Sequence, residues 1–311
     1  MYNKGVLSIL GRVYLNTKLF IGTSAIILLF GLTTVSTDTL LSSATPNLDQ
    51  TKVNSYNEPI NNHLLSLNVL TNSLENRLYG VASILEFASN LPEMKSVPNV
   101  SLLNTTLETL HGIPQDSDLQ KRNIAREILS NYHEIAGIAF IMPNGDTYFM
   151  EPYTMQSNQT KNNLAYRDYF KGSIATNDTY LGDIITSTSS GVKRAIVAVP
   201  VFTEKNNGVL TGVLVGSIEL GLLNKELQSL DLSQGQRIVY VDSNDTKIAD
   251  SERLFTNSSE TFSNLKSFQN ANEGKFGSIV EKVGQDNMLV TYYPMEALQN
   301  RWIVLWIQPI S

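Results

Sequence analysis

The spacing of apolar positions changes character several times along the chain. From Leu19 to Val35 the run LFIGTSAIILLFGLTTV carries no charge, at the short end of what crosses a hydrocarbon core as a helix. Leu67, Leu70, Leu74, Leu78, Val81, Leu85 and Ala88 then recur at intervals of three and four, which predicts one long helix. Its stripe suits either packing on the chain's own core or a parallel homodimer seam. A second helix is predicted from Asp118 to Tyr132, with Leu119, Ile124, Ile128, Leu129 and Tyr132 on its apolar side.

Beyond it the period falls to two. Gly137 to Met142 and Thr147 to Met150 flank Pro143-Asn144-Gly145-Asp146, a hairpin in which Asn-Gly supplies the positive φ angles of a tight turn. Ile238 to Val241, the turn Asp242-Ser243-Asn244-Asp245 and Thr246 to Ala249 repeat the arrangement later in the chain. Ala195 to Pro200 and Met288 to Pro294 are alternating strands that end at a proline, and each is followed by a polar turn and another apolar strand. Val209 to Leu223 contains Glu219 and reads as a buried strand leading into a short helix, not as a membrane span. Two copies of one hairpin, helix, strand, strand unit are therefore predicted. The fold class is α+β: an N-terminal transmembrane helix, a long helix, and two modules with antiparallel sheets.

Charge changes the picture at the N-terminus. Lys4, Arg12 and Lys18 precede the apolar run and no acid falls before Asp38, so the positive-inside bias holds residues 1–18 in the cytoplasm. The expected order is a cytoplasmic segment 1–18, a single-pass anchor 19–35, a Ser/Thr-rich stalk 36–53, a first module 54–230 and a second module 231–311. The body is expected outside the cell membrane. A cleaved signal peptide is the alternative, with Leu19 to Leu32 as its apolar region and Ser42-Ser43-Ala44 as the cleavage site. No second crossing is predicted before the last residue, so the chain is expected either to work with a separate signalling subunit or to be the truncated input half of a receptor.

Composition removes whole classes of chemistry. Net charge is −6 and the pI about 5.2, without a Lys/Arg cluster, which argues against a nucleic-acid partner. No cysteine exists, hence no disulfide, thiolate metal site or cysteine nucleophile. His63, His111 and His133 are too far apart in sequence for a zinc motif. Asp242-x-Asn244-x-Thr246 opens like a calcium loop but meets Lys247 and Arg253 where glycine and glutamate belong. Ser190-x-x-Lys193 has the spacing of an acylating serine and lysine, yet falls in a turn and not on a helix. No phosphate-binding glycine loop is present. The expectation is a non-enzyme with neither metal nor cofactor.

One segment carries a family likeness. YRDYFKGSIATNDTYLGDIITSTSSGVKRAIVAVPVF from Tyr166 to Phe202, followed after a short turn by NNGVLTGVLVGSIEL, resembles the double Cache family of extracytoplasmic sensor domains. The matching pieces are R-D-Y-F, a turn, an S/T-rich strand start with a glycine turn, a strand ending in Pro-Val, and a G-V-L-x-G-x-I-x-L strand. The likeness extends over residues 54 to 311. It implies a PAS-like fold twice over, a membrane-distal module that holds a small organic ligand and a membrane-proximal module that links to the bilayer. It places a candidate site at Arg167, Tyr169, Asp168, Tyr148, Tyr180, Asp183 and Ser187. A guanidinium at Arg167 offers a fork of donors to a carboxylate, Tyr169 and Phe170 can wall a pocket, and Asp168 is expected to cap a helix turn. The alternative is that Arg167 pairs with Asp168 or another acid and the aromatics are core. The sequence departs from the amino-acid-binding branch of the family: its R-x-W-Y is Arg167-Asp168-Tyr169-Phe170, and Ser217 stands where an aspartate would hold a ligand ammonium. That departure favours a small carboxylate or other small organic molecule. The function expected is signal input of chemoreceptor or sensor-kinase type; the alternative is a cell-envelope assembly subunit on a Cache-like scaffold.

Overall fold

The computed structural model describes residues 50–204, 208–252 and 260–310. The chain divides into two compact units, Met1–Asn54 and Ser55–Ser311. The apolar run 19–35 and nearly all of the stalk lie outside the described residues, and among the described ones no helix is long and apolar enough to cross a membrane.

Helix α1 spans Gln50–Ser89 and is followed by three shorter helices, α2 (Pro92–Lys95), α3 (Val100–Leu110) and α4 (Leu119–Asn131). The first sheet then builds from β1 (Ile135–Ile141), β2 (Thr147–Glu151), β3 (Tyr180–Leu181), β4 (Ile185–Thr186), β5 (Lys193–Phe202) and β6 (Leu210–Glu219). Helices α5 (Tyr153–Ser157) and α6 (Asp168–Thr176) lie between β2 and β3 in sequence. Helix α7 (Leu220–Gln228) leads to the second sheet, β7 (Arg237–Asp242), β8 (Lys247–Asp250), β9 (Gly277–Val283), β10 (Asp286–Ala297) and β11 (Asn300–Pro309), with α8 (Lys266–Asn272) before β9.

Both sheets have one topology. The first runs β2-β1-β6-β5-β3, with β4 also on β5, and the second β8-β7-β11-β10-β9, every pair antiparallel. The predicted repeat extends to detail: each opening hairpin slips register at the same step, between Phe140 and Ile141 and again between Tyr240 and Val241. Gly145 (φ +90°) and Asp245 (φ +66°) take the left-handed position of the two turns, which explains why a glycine and an aspartate occupy equivalent places.

Period-two alternation sorts each strand between two layers. Ile138 and Phe140 of β1, Val197, Val199 and Val201 of β5, and Leu214 and Ile218 of β6 join the α1 stripe in the main core. Ala139, Ile141, Ile196, Ala198, Val213 and Val215, the intervening positions, face a smaller cluster with Tyr169 and Phe170 of α6. The second sheet does the same: Ile238, Tyr240, Trp302 and Val304 enter the main core, whereas Val239, Val241, Ile303, Leu305 and Ile307 pack with Phe262 and Phe268. Helix α1 thus serves both sheets, and one core is continuous between them. Leu67, Leu74, Leu78, Val81, Leu85 and Ala88 are all buried in it. Those stripe residues therefore pack within the chain. At the closest approach of α1 to the sheet, a Cβ on Gly216 would lie 2.7 Å from Leu85 Cδ1.

The sheets also meet at one turn. Leu181 N–H of the edge strand β3 donates to Gln299 Oε1 at 3.0 Å, and its carbonyl accepts from Gln299 Nε2 at 2.5 Å and Asn300 Nδ2 at 2.6 Å.

Candidate functional site

The face of the first sheet turned away from α1 encloses a cavity of about 40 Å³. Strands β1, β5 and β6 form its floor with Ala139, Ile141, Ile196, Val215 and Ser217, and Gly137 leaves room there for Met155 of α5. Its roof is the N-terminal end of α6 with Arg167 and Tyr169, and its outer wall is the β4 region with Ile185, Ser187 and Thr188.

Arg167 occupies the N-cap position of α6. Its Nη2 donates to Thr186 O at 3.2 Å and its guanidinium lies 5.0 Å from the Tyr166 ring centre. Among the described residues it forms no ion pair, and its Nε is buried without a hydrogen-bond partner. Tyr169 is buried against the same wall, and that burial raises its phenol pKa while Arg167 opposes the rise; it is a neutral hydroxyl at any ordinary pH. Ser187 closes a tight turn in which its hydroxyl accepts from Ser189 N and Ser190 N, both at 3.3 Å.

The other sequence-selected residues lie elsewhere. The Asp168 carboxylate leaves α6 uncapped and accepts from Asp183 N at 2.6 Å, so it fastens the β3–β4 connection. Asp183 is exposed and accepts at 2.8 Å from Asn244 Nδ2, in the hairpin turn of the second sheet. Tyr180 packs its ring over Gly172, where a Cβ would stand 2.4 Å from the ring. Tyr148 is buried on the α4 side: its hydroxyl accepts from Asn99 N at 3.2 Å and donates to Asp118 Oδ2 at 3.1 Å, and burial pushes its pKa up to about 12. The structure thus brings Arg167, Tyr169 and Ser187 to one cavity and leaves Asp168, Tyr148, Tyr180 and Asp183 outside it. Met150, Met155 and Thr188 also line it without having been selected. Met150 sits in a predicted strand, but nothing in residues 153–157 carries a period, so Met155 gave no signal.

A second, wider cleft of about 550 Å³ runs between the end of α1 and the far end of β5, lined by Glu86, Lys95, Asp178, Glu204 and neighbours. It is open and polar, and contains none of the selected residues. Among the described residues no group of three His, Asp or Glu side chains is placed to hold a metal. The Asp242 turn is closed from within, because Asp242 Oδ1 accepts from Asn244 N at 3.0 Å and Thr246 N at 2.7 Å.

Two antiparallel sheets of identical strand order on one long helix define the class: a tandem α+β module. A family model described as a Cache domain, of the double Cache type, matches residues 51–311, and the chain belongs to that family. Among solved structures, the ligand-binding domain of the Pseudomonas aeruginosa PAO1 amino acid chemoreceptor PctC in complex with GABA is similar at a TM-score of 0.55 and 15% identity, over 79% of this chain and 98% of that one. The ligand-binding domain of the Pseudomonas fluorescens chemoreceptor CtaA in complex with L-isoleucine gives 0.55 and 14%, over 84% and 97%. The sensory domain of the Campylobacter jejuni chemoreceptor Tlp3 (CcmL) gives 0.58 and 13%, over 84% and 97%. At these identities the likeness is one of fold. No curated protein sequence matches the chain.

Proposed function

We propose that the chain is the extracytoplasmic input domain of a chemoreceptor or sensor kinase, held at the cell membrane by residues 19–35, that binds a small carboxylate in its first, membrane-distal module. It is a non-enzyme in this reading. The observation that supports it most is Arg167 itself, the one cation among residues that line a cavity with no acid, since a guanidinium so placed gains a charge-assisted bond from a carboxylate. Family membership and the sensory domains of like fold support the functional class.

The test is thermal denaturation of the chain across a panel of small carboxylates and amines. Ligand at about 100 times Kd stabilises the native state by roughly 2.7 kcal/mol, a rise of several degrees in Tm. Arg167→Gln should remove most of that rise while leaving the unliganded Tm nearly unchanged. The small volume of the cavity favours a second reading, a Cache-like scaffold in a cell-envelope assembly; a panel without any stabilising compound selects it.

A further inference from the structure

The charge on the cavity wall selects among carboxylates. Of the residues that line the cavity, Arg167 is the one cation and none is an acid. The acids nearest in sequence are committed elsewhere, Asp168 to the Asp183 amide and Asp183 to Asn244. One ligand carboxylate therefore finds a partner in Arg167, but a second charge of either sign does not. An ammonium on the same small molecule would be buried without a counter-charge, and a second carboxylate would have no second cation; burial of an unpaired charge is among the most unfavourable things a site can ask of a ligand. Beyond Arg167 the walls are largely hydrocarbon and thioether, from Ile141, Met150, Met155, Leu164, Ile196 and Val215, while the Ser187, Thr188 and Ser217 hydroxyls offer hydrogen bonds but no counter-charge. Size narrows the choice again. At roughly 10–15 Å³ for each enclosed water, a volume of about 40 Å³ accommodates about three waters, which suits an acid of only a few carbons.

From this we infer that the cavity takes short aliphatic monocarboxylates, with or without a hydroxyl, and rejects amino acids and dicarboxylates. The specificity differs from that of the similarly folded PctC and CtaA domains, whose complexes hold GABA and L-isoleucine. The inference rests on the reading of the Arg167 cavity as the ligand site.

Calorimetric titration of the full chain with four small compounds tests it: propionate, 2-hydroxypropionate, alanine and succinate. Propionate and 2-hydroxypropionate should bind at least tenfold more tightly than alanine and succinate, and Arg167→Gln should weaken propionate at least tenfold. Alanine or succinate binding as tightly as propionate in an Arg167-dependent way overturns the charge rule and leaves the sensor reading standing. Binding of an amine, an amino acid or a dicarboxylate from the panel without any short monocarboxylate does the same. Propionate binding that Arg167→Gln leaves unchanged removes the site from this cavity. Failure of all four together with the whole carboxylate and amine panel removes both the inference and the sensor reading.

Discussion

Arg122 shows how much a single side chain holds together. It is fully buried and donates from Nε to Ser117 O, from Nη1 to Met150 O and Glu151 Oε1, and from Nη2 to Ile113 O, Pro114 O and Gln156 Oε1. Every donor of the fork is used, so α4, β2 and α5 meet on one guanidinium. Removal of one member of a buried ion pair leaves the other desolvated and typically costs about 3–5 kcal/mol. Arg122→Ala should therefore lower the unfolding free energy in urea by about that much; a loss below 1 kcal/mol would show that Glu151 finds enough compensation from Arg126, 3.0 Å away. Nothing in the sequence announced this residue, because an arginine on an amphipathic helix ordinarily lies on the solvated face. Arg167 was legible for the opposite reason: it sits in a motif, outside any helix interior, beside two aromatics.

Elements were far more readable than sites. Hairpins, their spacing and the strand-to-helix passage at Glu219 follow from period and turn chemistry, and the structure bounds them at β1–β2, β7–β8 and β6–α7. Helices α2 and α5 carry no period, because four or five residues cannot show a repeating stripe, and α6 and α8 are expected only as the helix of each repeated unit, without bounds; α3 does carry a stripe, Val100, Leu103, Leu107 and Leu110 at intervals of three and four. Which of the two layers a strand residue faces is also invisible locally, because both layers of these sheets are apolar. The contact of α1 with the first sheet makes this testable. Gly216→Ala places a methyl group 2.7 Å from Leu85 Cδ1, an overpacking worth about 1–3 kcal/mol, and Leu85→Ala alone should cost about 2–5 kcal/mol. The double variant should be less destabilised than the sum of the two by about 0.5–3 kcal/mol, since the second change removes the atom that the first one meets. Strict additivity in urea unfolding would separate the two residues.

Across the described residues, two groups of charges contribute to the loss of stability in acid. His63 of α1 stacks on Trp306 of β11, ring centres 4.1 Å apart, and burial lowers its pKa. The folded state thus favours neutral imidazole. As pH falls below about 6.5 the unfolded chain takes up the proton first, so stability rises with pH through that window and is lost beneath it. His63→Phe keeps the stacking and should flatten the fall in Tm between pH 7 and 5.5; an unchanged slope would assign the fall to other groups. A second loss comes lower. Burial pushes the Asp250 carboxyl up, but Arg237 and Lys247 more than offset it and hold the pKa down, and hydrogen bonds from Arg237 hold Glu260 low as well. Their contribution is complete above the ordinary carboxylate range near pH 4 and disappears as pH drops through the lowered values.

The Gln299 side chain offers a donor and an acceptor on one planar amide, as a peptide unit does, and it takes both from Leu181. It therefore supplies the rung that β3 lacks, and the outermost edge of the first sheet is finished by a borrowed residue from the second. Gln299→Ala should speed amide hydrogen exchange at Leu181 while leaving Val197 on the neighbouring strand protected; equal protection before and after would show that β3 is held by β5 alone. The cavity's outer wall at Ile185 and Ser187 follows directly from that edge in the chain, so the second sheet anchors the segment from which the wall of the first is built.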